Sequence, residues 1–312
     1  MKAIVLIVAV VAHFVVPLFL IAWTGFSRAK SRAYWLCVAA ITALVLLLMH
    51  VAGAGWSLFG FYWPFVLWAL FVLGIGRFSS RTLGELPWWP TTVGGWIGVA
   101  VVFSVAIFMG TSLPALYEAR VVPDEVVELR WPMRGGTYFV GHGGSHEVMN
   151  HHFPHSGQRY ALDVVKLNSF GSRARGLMPE DLEAYEIWGE PVYAPCAGQV
   201  ATAVGDQPDF TPPERDPEFP PGNHVTLFCD GATVLLAHLR EGSLEVEAGQ
   251  EVSLGQKLGE IGNSGNTTEP HLHIHAVRGE VTDLEELLST GEGIGMLFEG
   301  RYLLRNQRVS IR

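Results

Sequence analysis

Three imidazoles stand at alternate positions in Glu269-Pro270-His271-Leu272-His273-Ile274-His275, with Leu and Ile filling the gaps. Alternation is the period of a β-strand, so His271, His273 and His275 share one face while Leu272 and Ile274 point into a core. Residues two apart on a strand lie about 6.8 Å from one another, so neighbouring imidazoles can serve one centre, one as metal ligand and the other as proton carrier. A catalytic zinc site requires that division of labour. The same pattern also reads as the polar face of an edge strand. A second candidate is Asp163, set among apolar neighbours in Tyr160-Ala161-Leu162-Asp163-Val164-Val165. A carboxylate in that setting is costly unless it is paired or bound to a metal; the alternative is a surface position on an edge strand.

The elements that would position these groups lie in one part of a divided chain. Residues 1–113 hold six basic residues and one acid, Glu85, whereas the remainder holds fifteen basic residues, 29 acids and ten of the 12 histidines. Two solvents are implied, and the acidic second part argues against nucleic acid as a partner. In the first part, residues 3–23, 33–52, 56–75 and 93–113 are each long and apolar enough to cross a bilayer as a helix, with tryptophans near their ends. A cleaved signal peptide is the other reading of the first span, but no small-residue cleavage site follows it. His13 and His50, in or beside spans, read as helix-packing groups. Arg28, Lys30 and Arg32 lie in the first joint and Arg77 and Arg81 in the third, while Gly53-Ala54-Gly55 in the second carries no charge. Joints one and three are therefore expected in the cytoplasm and both termini outside it.

Residues 114–130 read as a connector and 131–312 as the outer domain. Short strands with Gly turns are expected at 137–140, 159–165, 191–195, 197–200, 223–228, 233–239 and 251–262, which predicts a mainly antiparallel all-β domain. A helix is expected over 177–187 and another over 283–289. Residues 205–222, with six prolines and five acids, form a long exposed loop, of the kind that borders a site. Cys196 and Cys229 flank expected strands in the compartment that permits a disulfide. Neither has a partner at C-x-x-C spacing, which disfavours metal ligation by these thiols. Cys37 reads as a small buried apolar residue.

In order along the chain come Asp163, the turn Val192-Tyr193-Ala194-Pro195-Cys196-Ala197-Gly198-Gln199-Val200, Gly222-Asn223, Ala237-His238-Leu239, Gly249-Gln250-Glu251-Val252 with Gly255-Gln256-Lys257-Leu258-Gly259, and Gly265-Asn266-Thr267-Thr268-Glu269-Pro270-His271-Leu272-His273. This ordered set, over roughly residues 150–278, resembles the M23 zinc metallopeptidases, the lysostaphin- and LytM-like peptidoglycan endopeptidases. The resemblance implies a LytM-like β-sandwich, a Zn2+ cofactor, His273 and Asp163 as ligands, and His271 and His238 flanking the metal as the pair that handles protons and stabilises the oxyanion. The family's usual first ligand, a histidine four residues before the aspartate, is replaced here by Arg159. His151, His152 and His155 are the candidates for that ligand, with His152 favoured. His275 occupies a position where the family usually has Glu and is expected at a strand end or behind a ligand. His224 reads as structural; His142 and His146 receive no role.

The function so implied is hydrolysis of peptide bonds in peptidoglycan by a multi-pass protein of the bacterial inner membrane whose C-terminal domain lies in the periplasm or beyond. The lipid bilayer and the cell-wall peptide are its expected partners, and no regulatory protein is identifiable. The competing class is a non-catalytic module that binds peptidoglycan or activates another hydrolase; the full set Asp163, His238, His271 and His273 favours the enzyme. A lipoyl-like carrier, suggested by the turns at 249–262, is disfavoured because Lys257 does not sit in a hairpin tip.

Overall fold

A computed structural model describes residues 2–311. Met1 and Arg312 lie outside the described residues. Two compact units are present, Met1–Pro114 and Ala115–Arg312.

Four helices are long and apolar enough to cross a membrane, spanning Leu6–Phe26, Arg32–Ala52 and Trp63–Arg81 in the first unit and Val93–Glu118, whose last four residues belong to the second. The third begins later than the sequence pattern suggests. Trp56–Phe59 forms its own short helix, ended by Gly60 at φ +77°, and Pro64 then starts the long one, where its missing N–H leaves no bond unmade. The helices meet through small and hydroxylated residues. A Cβ on Gly25 would press on the Gly74 backbone, and Thr24 and Thr42 share a 3.0 Å hydrogen bond. The Trp35 indole donates to the Thr24 carbonyl at 2.9 Å. Around His13 the first helix widens into a π-turn over Val11–Val15, and Trp63 donates to the His13 carbonyl at 2.8 Å, which satisfies a group that the widened turn would leave open.

The second unit is mostly antiparallel sheet. Its strands are β1 (Val126–Leu129), β2 (Gly136–His142), β3 (Leu162–Leu167), β4 (Pro191–Tyr193), β5 (Gly198–Val204), β6 (Asn223–Cys229) and β7 (Ala232–Leu239). There follow β8 (Glu251–Val252), β9 (Lys257–Glu260), β10 (Leu272–Arg278), β11 (Gly293–Phe298), β12 (Arg301–Tyr302) and β13 (Arg308–Ile311). The main sheet runs β13-β2-β3-β10-β7-β6-β5-β8, with β11 also on β10, and β4 and β9 form a separate ribbon. β1 and β11 pair in parallel. β10 lies between β3 and β7, so its alternation is read as expected: Leu272 and Ile274 enter one core with Val140, Val164, Val225, Leu227 and Leu236. Each such side chain contributes about 1.5–3 kcal/mol, which pins the register and with it the histidine face.

Three expected elements differ. Residues 177–187 hold a single 3-10 turn, Leu182–Ala184; Gly176 at φ +113° and Gly189 at φ +71° bound the segment, and Pro179 lies between. β3 begins at Leu162, because the Asn150 amide donates to the Arg159 and Ala161 carbonyls and holds the preceding residues in a loop. The second expected helix is present over residues 284–290 but differs in its winding: its last five residues, Glu286–Thr290, form a widened π-turn.

Cys196 and Cys229 form a disulfide whose Cα atoms are 5.9 Å apart and 33 residues apart in sequence. A closed loop of that length implies about 3–4 kcal/mol from restriction of the unfolded chain. Cys196→Ser is therefore expected to lower the thermal midpoint of the second unit by several degrees under oxidising conditions, and reductant should bring the wild type to the same midpoint.

Candidate metal centre

Cross-strand register brings the groups together. His142 on β2 pairs with Asp163 on β3, and Asp163 pairs with His273 on β10. His273 is in turn opposite Ala237 on β7, so His238 follows directly at the end of that strand. A bulge between Val140 and His142 re-aims the end of β2 toward this row, as bulges beside sites do. His238 adopts φ +63°, a left-handed conformation rare outside glycine, though histidine enters it more readily than most. Its N–H donates to the Pro221 carbonyl and its C=O accepts from Gly262, which hold it there against the local cost.

Asp163 is the hub. Nε2 of His152 lies 3.0 and 3.1 Å from its two oxygens, and Nδ1 of His273 lies 2.9 Å from Oδ1. His271 Nε2 is 3.5 Å from the same oxygen. One ligand atom from each of His152, Asp163 and His273 falls within 4.8 Å of the others.

The hydrogen bonds of the two buried imidazoles fix their tautomers. A backbone carbonyl only accepts, so His275 Nε2–H donates to the Leu287 carbonyl at 3.0 Å. Its Nδ1 is left as an acceptor, and His273 Nε2–H donates to it at 2.8 Å. His273 Nδ1 therefore presents a bare lone pair to a carboxylate oxygen 2.9 Å away. Two acceptors at that distance repel unless a cation stands in reach of both. Two imidazoles and a carboxylate, with a histidine oriented from behind, fit zinc.

The flanking pair is held in the same way. His238 Nδ1–H donates to the Ser264 carbonyl at 2.9 Å, so its Nε2 carries the lone pair when the ring is neutral. His271 Nδ1–H donates to the Glu269 carbonyl at 2.9 Å. The Glu269 carboxylate receives a bidentate pair from the buried Arg173, at 2.7 and 2.5 Å, which anchors the turn that carries His271. The ring centroids of His238 and His271 are 4.7 Å apart.

Burial brings His142, His273 and His275 down to about 3 and His238 well below its ordinary value. For Asp163, burial opposes ionisation, but the adjacent His152 and His271 outweigh it and hold the carboxyl well below the usual range. His271 is the exception among these histidines: burial pulls it down, and the Asp163 carboxylate more than offsets this, so it stands above its ordinary value. A histidine depressed on folding stabilises the fold above the unfolded pKa of about 6.5 and loses that contribution as pH falls toward the folded value, by up to about 1.4 kcal/mol per pH unit. His142, His273 and His275 act together in that window, and His271 acts with the opposite sign. With chelator present, the urea midpoint is expected to fall steeply from pH 6.5 to about 4; a flat midpoint would contradict this set of neutral buried rings.

Of the three candidates for the remaining ligand, His152 makes the closest approach to Asp163. His151 Nδ1 is 4.0 Å from Asp163 Oδ2, and His155 is exposed on the wall of the cleft. His224 is buried and donates from Nδ1 to the Gly222 carbonyl. His142, to which the sequence assigned nothing, stacks edge-on against His151 with centroids 4.1 Å apart and forms with His151 and Asp163 a second group of close donors. Arg173 was also missed; no sequence signal ties it to Glu269, 96 residues away. The cleft beside the centre is lined by Pro220, Pro221 and Leu288 together with His152, His238 and His273, so the proline-rich loop borders the site.

Residues 181–283 match Peptidase family M23, a stretch that includes His238, His271 and His273 and leaves out His152 and Asp163. The chain is 32% identical over 157 residues to the cell division protein DipM of Caulobacter vibrioides, a match over 50% of this chain and 19% of DipM. It therefore spans about a fifth of the length of that relative. Among solved structures it is similar to the antimicrobial peptidase lysostaphin from Staphylococcus simulans (20% identity, 46% of this chain and 44% of that one, TM-score 0.29). It is also similar to a zinc containing peptidase from Vibrio cholerae (19% identity, 58% and 36%, TM-score 0.26).

Proposed function

We propose that this chain is a membrane-anchored zinc endopeptidase that hydrolyses peptide bonds in peptidoglycan cross-links or stems. The observation that carries the reading is the bare His273 Nδ1 set 2.9 Å from Asp163 Oδ1, with His152 Nε2 closing the third side at 3.0 Å from Oδ2. A zinc ion held by His152, Asp163 and His273 supplies Lewis acidity and lowers the pKa of a water toward ~7.

The chain's own residues do the rest. His238 offers the lone pair of Nε2, since Ser264 occupies Nδ1–H, and it takes the proton of the attacking water. His271 Nε2, 3.5 Å from Asp163 Oδ1, faces the same centre, and in its protonated form it donates Nε2–H to the oxygen that becomes negative as the carbonyl is attacked. His238 then returns its proton to the departing amine nitrogen. Pro220, Pro221 and Leu288 line the cleft beside these groups and offer an apolar surface to the peptide.

Four membrane-capable helices serve as the anchor, and the positive charge at Arg28, Lys30, Arg32, Arg77 and Arg81 orients the second unit away from the cytoplasm. Peptidoglycan cross-links lie on that side. The test is digestion of purified peptidoglycan by the full chain in detergent, with products read by mass. Release of new amine and carboxyl ends at one type of peptide bond, abolished by a chelator and restored by zinc, is expected. Sedimentation of the chain with intact, uncut polymer would instead identify a binding module.

A further inference from the structure

His275 lies behind the proposed ligand shell, and the element it touches lies beyond the strand that carries the ligand. It is 1% exposed, and both ring nitrogens are engaged: Nδ1 with His273 Nε2 at 2.8 Å and Nε2 with the Leu287 carbonyl at 3.0 Å. Leu287 belongs to the widened turn Glu286–Thr290 and is itself buried. That turn is fixed at three places. The Leu287 N–H donates to Asp283, and the Gly291 N–H donates to Glu286. Gln158, six residues after His152, donates to the Leu288 carbonyl at 2.9 Å. Gly157 packs so closely on the Leu287 carbonyl that a Cβ there would collide with it. The carbonyl therefore has little freedom to turn away.

We infer that His275 is a positioning residue that locks His273 in its Nε2–H tautomer by relaying a hydrogen bond from the Leu287 carbonyl, so that segment 283–291 tunes how tightly the centre holds its cation. The consequence for zinc rests on the function proposed above; the tautomer itself does not. Without the relay, His273 is free to place its proton on Nδ1 and donate to Asp163, which removes the ligand lone pair and must be undone before a metal binds. A partner behind a ligating histidine commonly accounts for 10–100-fold in metal affinity.

Three substitutions separate the relay from simple packing. Gln at position 275 can both accept from His273 and donate to Leu287, Glu can only accept, and Phe can do neither. With the full chain in detergent, zinc affinity is measured by competition with a chromophoric chelator, and the tautomer of His273 by 15N NMR of histidine-labelled, zinc-free protein at about pH 8. The expected order is wild type, His275→Gln and His275→Glu within about threefold, since each keeps an acceptor for His273 Nε2–H, and His275→Phe weaker by about 10–100-fold. His273 should be Nε2–H in wild type and mixed in His275→Phe. A wild-type His273 that carries its proton on Nδ1 would overturn the inference. So would a folded His275→Phe protein that binds zinc within twofold of wild type. If His275→Phe fails to fold, the wild-type tautomer decides. A wild type that binds no zinc but shows the Nε2–H tautomer would reject the proposed function and leave the relay standing.

Discussion

Asp163→Asn is expected to remove both zinc and hydrolysis while leaving the sheet intact. The change keeps the shape of the side chain and its place opposite His273 on β10, so the fold does not lose a core residue. It removes the one negative charge that His152, His271 and His273 approach within 3.5 Å. Withdrawing one partner from a buried charged pair costs about 3–5 kcal/mol, which corresponds to roughly 10²–10⁴-fold in affinity for the cation. The amide also donates hydrogen bonds, and turned toward His273 it would occupy the lone pair that the tautomer leaves bare. Zinc titration and peptide release measured on the same preparation check this. An Asp163→Asn chain that retains wild-type zinc content would show that the carboxylate is not a ligand.

His238→Ala should separate chemistry from metal binding. His238 touches neither Asp163 nor the lone pair of His273; its Nδ1–H is spent on the Ser264 carbonyl and its ring centroid is 5.8 Å from that of His273. The variant is expected to keep its zinc and to lose about 10²–10⁴-fold in turnover, the usual contribution of a positioned base. His271→Ala should also keep zinc and lose about 10²–10³-fold, as for a single donor to an oxyanion. The pH profiles distinguish the two: loss of the base abolishes the low-pH limb, and loss of the donor abolishes the high-pH limb. Full turnover in His238→Ala would reassign the proton-accepting role.

Much of the centre was legible because strand alternation is a strict code. His271, His273 and His275 fall on one face, and Leu272 and Ile274 on the other, once β10 is placed between β3 and β7. The oddity of a carboxylate in an apolar run marked Asp163 for the same reason. What was not legible depends on contacts with no local period. The sequence favours His152 over His151 and His155 only by resemblance, and the loop path that sets their distances from Asp163 depends on the Asn150 amide bonds. The Arg173–Glu269 pair joins residues with nothing in common along the chain. The expected helix at 177–187 is absent because the backbone bonds of this stretch run across to residues 173–175 (Arg175 N–H to the Ala184 carbonyl, Glu186 N–H to the Arg173 carbonyl), although the acidic start and the closing Gly189 suggest a complete element. The late start of the third membrane-capable helix has a local sequence cause: Gly60 and Pro64 together are a break followed by a start.

The most direct measurement is metal content of the purified full chain, together with X-ray absorption at the zinc edge. One zinc per chain is expected, in a shell of imidazole nitrogen and carboxylate oxygen, and absent from His273→Ala. A folded wild-type chain that takes up no zinc when supplied with it, or zinc held undiminished by His273→Ala, would contradict a centre built from His152, Asp163 and His273.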